Sequence, residues 1–252
     1  MNIPSARRGP SFGAHAFICW AGEWSREGAE RVISGAASAG LNFVKISPLD
    51  PETVELTAAL GSSFLTGCLY THLGTLTGRP PETGELRAVA RILKSTARRA
   101  AEGGVELSIE AVNRYETYLI NRASHVSDLL DEIDEPNVFA HLDTYHMNIE
   151  EKGYYEPILS LGPRLKYIHL SGSDRGTPGT GNVHWDEVFR GLNDASYDGA
   201  LVMESFAAFN EAIIGATALW RDVVENPDSL VTDGLAFLRA KGAEHELFEQ
   251  PG

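Results

Sequence analysis

Short apolar runs alternate with longer stretches whose apolar positions recur every three or four residues, along almost the whole chain. The short runs at residues 15–20, 42–46, 63–69, 105–110, 138–143, 166–170 and 200–204 predict seven strands. Helical spacing is found at 27–39, 51–60, 84–101, 124–133, 154–161, 185–192 and 230–241. Gly or Pro precedes several strands, at Gly40, Gly104, Pro136, Gly162, Pro163 and Gly199. Strand then helix, repeated without a break in composition, predicts a parallel sheet with crossover helices. Residues 14–252 are therefore expected to form one domain, and 1–13 a poorly ordered N-terminal extension.

Two architectures fit such a pattern, an open doubly wound sheet and a closed β/α barrel. An open nucleotide-binding sheet carries a Gly-rich turn after its first strand. Here that turn reads Ala21-Gly22-Glu23-Trp24, with no Gly-x-Gly. Residues 176–181 are glycine-rich but lack the Gly-Lys-Ser/Thr ending of a phosphate loop. The TIM-type barrel is the better fit.

Composition narrows the function classes. The chain has 252 residues, of which 43% are hydrophobic and 22% charged, as in ordinary globular proteins. Lys and Arg number 21 against 35 Asp and Glu, a net charge of −14 that repels phosphate backbones and anionic membranes. Neither nucleic acid nor membrane is an expected partner. Cys19 and Cys68 lie in apolar runs without metal or redox spacing, and residues 1–13 lack the apolar centre of a signal peptide. A cytoplasmic location is the expectation.

The chemistry gathers at four strand ends. Glu110, Asp143, His169 and Glu204 close four successive predicted strands, with spacings of 33, 26 and 35 residues, each about one strand–helix unit. In a β/α barrel the C-terminal strand ends converge on the face that holds the active site. Alternation agrees with this: Glu106, Ser108 and Glu110 share one parity, while Val105, Leu107 and Ile109 share the other. A single acid at a strand end is usually a solvated loop residue or a helix cap. Four ligand-type residues in register are not explained that way. Three carboxylates and one imidazole suit Mn²⁺, with Mg²⁺ or Co²⁺ as alternatives, better than structural zinc. His-Glu-x-x-His and the Gly-x-Ser-x-Gly elbow are both absent.

These residues carry a family resemblance. Glu110-Ala111-Val112-Asn113-Arg114-Tyr115-Glu116-Thr117 resembles a motif of the D-tagatose 3-epimerase and D-allulose (D-psicose) 3-epimerase family. The run from His141 to Glu151, containing Asp143-Thr144-Tyr145-His146-Met147-Asn148-Ile149-Glu150, resembles the family's next motif almost letter for letter. Tyr167-Ile168-His169-Leu170, Arg175 and Val202-Met203-Glu204-Ser205-Phe206 continue the likeness. It implies a xylose-isomerase-like TIM barrel in which Glu110, Asp143, His169 and Glu204 hold the metal. Glu110 and Glu204 would be the catalytic proton carriers, acting through a metal-stabilised enediolate. Glu116, His146 and Arg175 would contact the sugar, Trp20 would wall its pocket, and the enzyme would form a homo-oligomer, dimer or tetramer. A ketose–aldose isomerase of the same superfamily and a shortened non-catalytic paralogue that binds metal or sugar are the alternatives.

Two departures stand out. Ser173 replaces an acid usual in the family's post-histidine motif. Only one short helical stretch separates the strands at 42–46 and 63–69, where the family inserts a further strand and helix. The barrel is therefore expected to lack one βα unit, with helix 51–60 beside the gap. The flanking strands would either pair directly or leave an opening.

Overall fold

The computed structural model describes residues 10–15, 26–45, 53–206, 214, 218–224 and 226–247. Seven strands form one sheet: β1 (Ser11–His15), β2 (Phe43–Lys45), β3 (Phe64–Gly67), β4 (Glu106–Glu110), β5 (Val138–Asp143), β6 (Leu165–Leu170) and β7 (Ala200–Met203). Every pairing is parallel, and the spatial order is β2-β1-β7-β6-β5-β4-β3. The first strand pairs with the last. That closure distinguishes a barrel from a doubly wound sheet, whose order reverses at an internal switch point. Among the described residues β2 and β3 do not pair and form the two edges, so the sheet is a TIM-type barrel one unit short.

The helices follow the strands: α1 (Arg26–Ser38), α2 (Thr53–Ala59), α3 (Thr83–Glu102), α4 (Ala123–Ile133), α5 (Thr144–Glu150), α6 (Tyr155–Leu161), α7 (Trp185–Asp194) and α8 (Pro227–Glu244), seven of them where the periodicity predicts and α5 in addition. The short α2 packs on β3 and α3, beside the open edge. Leu107, Ile109, Leu142, Ile168, Leu170 and Leu201 are fully buried in the main apolar core.

The other parity carries small polar residues that tie neighbouring strands together. Thr66 Oγ1 donates to the Ser108 carbonyl at 3.2 Å, and Ser108 Oγ donates to the Ala140 carbonyl at 2.9 Å. These bonds fix the relative heights of β3, β4 and β5 just below their C-terminal ends.

The first described strand lies at Ser11–His15 and takes in Ser11, Phe12 and Gly13 from the expected extension, while the strand expected at 15–20 lies, beyond His15, outside the described residues. Its ladders hold β1 there, because it pairs with Ala200–Met203 on one side and Phe43–Lys45 on the other. Only Phe12, 6% exposed, gives it a large buried apolar anchor, too little to register as a periodic run. Residues 16–20, including Trp20, lie outside the described residues.

Candidate active site

β4 ends on Glu110, β5 ends on Asp143, His169 is the penultimate residue of β6, and Glu204 follows β7. Across the ladder Asp143 partners His169, which sets the two at one height. The four side chains meet. His169 Nδ1 lies 3.2 Å from Glu110 Oε1, 3.4 Å from Asp143 Oδ2 and 3.2 Å from Glu204 Oε2. One ligand atom from each residue falls within 4.8 Å of all the others, and none of the four is more than 7% exposed.

Asp143 uses its two oxygens differently. Oδ1 accepts the Tyr145 N–H at 2.8 Å and caps α5, which turns Oδ2 toward the other three groups. Three buried carboxylates in one cradle repel one another unless a cation lies among them. The donor set of hard oxygens and one imidazole nitrogen fits a divalent metal ion.

Part of that cationic charge comes from Arg175. Its Nη1 donates to Asp143 Oδ2, to Glu204 Oε2 at 2.7 Å and to Ser171 Oγ at 3.1 Å, while Nη2 lies 3.2 Å from His146 Nε2. The guanidinium stacks over Tyr145 at 4.2 Å and over Phe206 at 5.1 Å. Burial opposes its charge, but Asp143, Glu204 and Glu116 outweigh burial and raise its pKa. Burial would likewise raise Asp143; Arg175, His169 and His146 reverse that and bring it to about 2. Arg175 holds this place with φ of +67°, in the left-handed region.

Glu116 and His146 stand next to this pair. His146 Nδ1 accepts the Asn113 backbone N–H at 3.1 Å, and Asn113 Nδ2 donates to Glu116 Oε1 at 2.8 Å. Burial raises the Glu116 pKa, an effect that His146 and Arg175 only moderate. Of the expected sugar contacts, the structure brings together Glu116, His146 and Arg175, whereas Trp20 is not among the described residues.

Several groups in the site have no role in the motif reading. Asn113 links Glu116 to His146, and Tyr145 and Phe206 sandwich Arg175. His141, fully buried, places Nδ1 2.9 Å from Thr66 Oγ1 and 3.6 Å from Glu110 Oε2. Its parity with Asp143, two residues on, was the available signal. Ser173, at the family's usual acid, closes its own loop by accepting the Asn182 N–H at 2.9 Å.

The family model for xylose isomerase-like TIM barrels matches residues 52–241. The L-ribulose 3-epimerase of Methylomonas sp. (strain DH-1) is 32% identical over 279 aligned positions, covering 91% of this chain and 97% of that protein. The chain belongs to the ketose 3-epimerases. The ketose 3-epimerase of Arthrobacter globiformis is 34% identical, with 84% of this chain and 78% of that protein covered. A solved D-allulose 3-epimerase from Methylomonas sp., in complex with D-allulose, matches with a TM-score of 0.87 and 30% identity over 93% of this chain and 98% of that one. The chain is thus an isomerase-class enzyme, a carbohydrate epimerase. An alignment of 279 positions exceeds the 252 residues of this ketose 3-epimerase, so the relative carries segments that it lacks.

Proposed function

We propose that this ketose 3-epimerase inverts C3 of free ketoses, with Glu110 and Glu204 carrying protons on opposite faces of the sugar. The observation that supports this most is the strand order. Glu110 and Glu204 come from the outer strands, β4 and β7, of the β4–β7 quartet, while Asp143 and His169 stand between them. Inversion needs one group to remove the C3 proton and a second to return one from the other side. Removal of that proton leaves charge shared between C3 and the C2 oxygen as an enediolate. Mn²⁺, or alternatively Mg²⁺ or Co²⁺, held by Glu110, Asp143, His169 and Glu204 supplies Lewis-acid stabilisation of that charge.

Arg175, His146 and Glu116 orient the hydroxyls, and Trp20 walls the pocket. The Arg175–His146 contact and the Asn113 bridge between His146 and Glu116 prearrange these three groups, so less order is lost when substrate binds. The working enzyme is a cytoplasmic homo-oligomer, dimer or tetramer, in this reading. Among the described residues no helix is long and apolar enough to cross a membrane.

The test is incubation of Mn²⁺-loaded protein with a panel of ketoses in D₂O. Deuterium at C3 and a C3-epimeric product are expected, and chelation should abolish both. An aldose product would assign the ketose–aldose isomerase reaction instead. No exchange with any ketose would point to the non-catalytic paralogue.

A further inference from the structure

We propose that His141 is a positioning residue for Glu110, holding the carboxylate so that one oxygen stays aimed at the reacting carbon. This rests on the reading of Glu110 as a proton carrier. His141 partners Glu110 across the β4–β5 ladder and is fully buried beneath the metal-ligand cradle. Its ring meets His169 edge-on at 4.2 Å and Tyr167 at 4.7 Å between centroids, which fixes its plane.

The hydrogen on that ring can be placed from its neighbours. Thr66 has one hydroxyl proton, and Thr66 Oγ1 donates it to the Ser108 carbonyl at 3.2 Å. Because the Ser108 carbonyl can only accept, we assign Thr66 Oγ1 the acceptor's role in its 2.9 Å contact with His141 and place the hydrogen on Nδ1. That N–H dipole also lies 3.6 Å from Glu110 Oε2.

The two oxygens of Glu110 are thereby made unequal. Oε1 faces His169 Nδ1 at 3.2 Å and His146 Nε2 at 3.9 Å, toward the centre of the site. Oε2 faces His141. A terminal carboxylate torsion is broad and roughly two-fold on its own. A fixed N–H dipole behind one oxygen narrows that freedom and selects which oxygen points forward. The backbone is held as well, because the Tyr70 hydroxyl is shared between the Glu110 carbonyl at 3.0 Å and the Ile120 carbonyl at 2.9 Å. Thr66 anchors His141, His141 anchors Glu110, and the chain runs across three adjacent strands.

The experiment compares His141→Leu, His141→Asn and Thr66→Val in the Mn²⁺-loaded enzyme, with Glu110→Gln alongside. An asparagine places its side-chain nitrogen near the position of Nδ1, whereas leucine removes the donor. His141→Leu is expected to lower kcat by about tenfold or more, with KM and the stoichiometry of one Mn²⁺ per chain unchanged. The primary isotope effect should rise for only one of the two C3-deuterated epimers, the one whose proton Glu110 removes. His141→Asn should recover most of the rate. Thr66→Val should show the same one-sided isotope effect in weaker form, which keeps the test intact if the leucine variant does not fold.

Equal losses in His141→Asn and His141→Leu, an isotope effect that rises for both epimers alike, or a second Mn²⁺ bound through His141 would overturn the proposal. Retained C3 exchange in Glu110→Gln would overturn the proton-carrier reading itself, whatever the His141 variants do.

Discussion

The charge of Arg175 is what lets two buried acids face each other in the metal-free protein. Asp143 is held near a pKa of about 2, below its ordinary 3.8. A carboxyl depressed in the folded state adds stability above its unfolded pKa and loses it as pH falls through the folded one. Metal-stripped protein should therefore lose roughly 2 kcal/mol from this group between about pH 4 and pH 2, which acid titration followed by circular dichroism measures. Arg175→Met should cost about 3–5 kcal/mol at neutral pH, because it leaves buried carboxylates without their partner. It should also move the acid transition to higher pH. An unchanged transition would mean that Asp143 is held by other groups. Cys68 offers a simpler check. Burial pushes its thiol up to about 12, with Tyr70 opposing, so native-state alkylation near pH 8 should run roughly a thousandfold slower than in the unfolded chain. Peptide mapping after iodoacetamide treatment reads that ratio. Arg175 was legible from its motif, but its aromatic sandwich was not. Tyr145 reaches it from the first turn of α5 and Phe206 from the segment after β7, 30 and 31 residues away, and no local spacing encodes such a meeting.

Elements were legible where side chains alternate. The parity of β4 predicted that Ser108 and Glu110 would share a face, and their contacts agree. β1 at Ser11–His15 was not legible because two backbone ladders hold it, and side-chain periodicity says little about those. α5 was also missed. Its first turn depends on Asp143 accepting the Tyr145 N–H, so one residue both ends a strand and starts a helix without any turn between them. The approach of β7 to β6 rests on Gly199. A Cβ there would fall 2.7 Å from the Lys166 carbonyl carbon and 2.6 Å from the Tyr197 hydroxyl, closer than atoms pack. Gly199→Ala should therefore cost about 3 kcal/mol and push β7 away from β6. Glu204 follows β7 directly, so Mn²⁺ affinity should fall in the same variant. A normal melting temperature with normal metal binding would show that β7 yields without cost.

For the whole molecule, the missing unit and the metal site lie on different parts of the barrel wall. Among the described residues β2 and β3 are the edges, whereas the ligand strands β4 to β7 are paired on both sides. The family resemblance exposed this seam, since the chain has one short helical stretch where the family inserts a further strand and helix. The helix expected beside the seam at 51–60 is α2, which among the described residues lies on its β3 side. An edge strand opens without breaking a second ladder, so its amides should exchange faster than those of the central strands. Hydrogen exchange with mass analysis should find β2 and β3 at least ~100-fold less protected than β5 and β6. Metal should sharpen the contrast rather than erase it. At a hundredfold excess over its Kd, a native-only ligand adds about 2.7 kcal/mol, or roughly 5–10 °C in a chain of this size. That gain should appear as slower exchange in β4 to β7, where Glu110, Asp143, His169 and Glu204 stand, and leave β2 and β3 nearly unchanged. Equal protection of β2, β3 and the central strands would mean that the seam is bridged. Metal-induced protection spreading to both edges would mean that the seven strands open as a single unit.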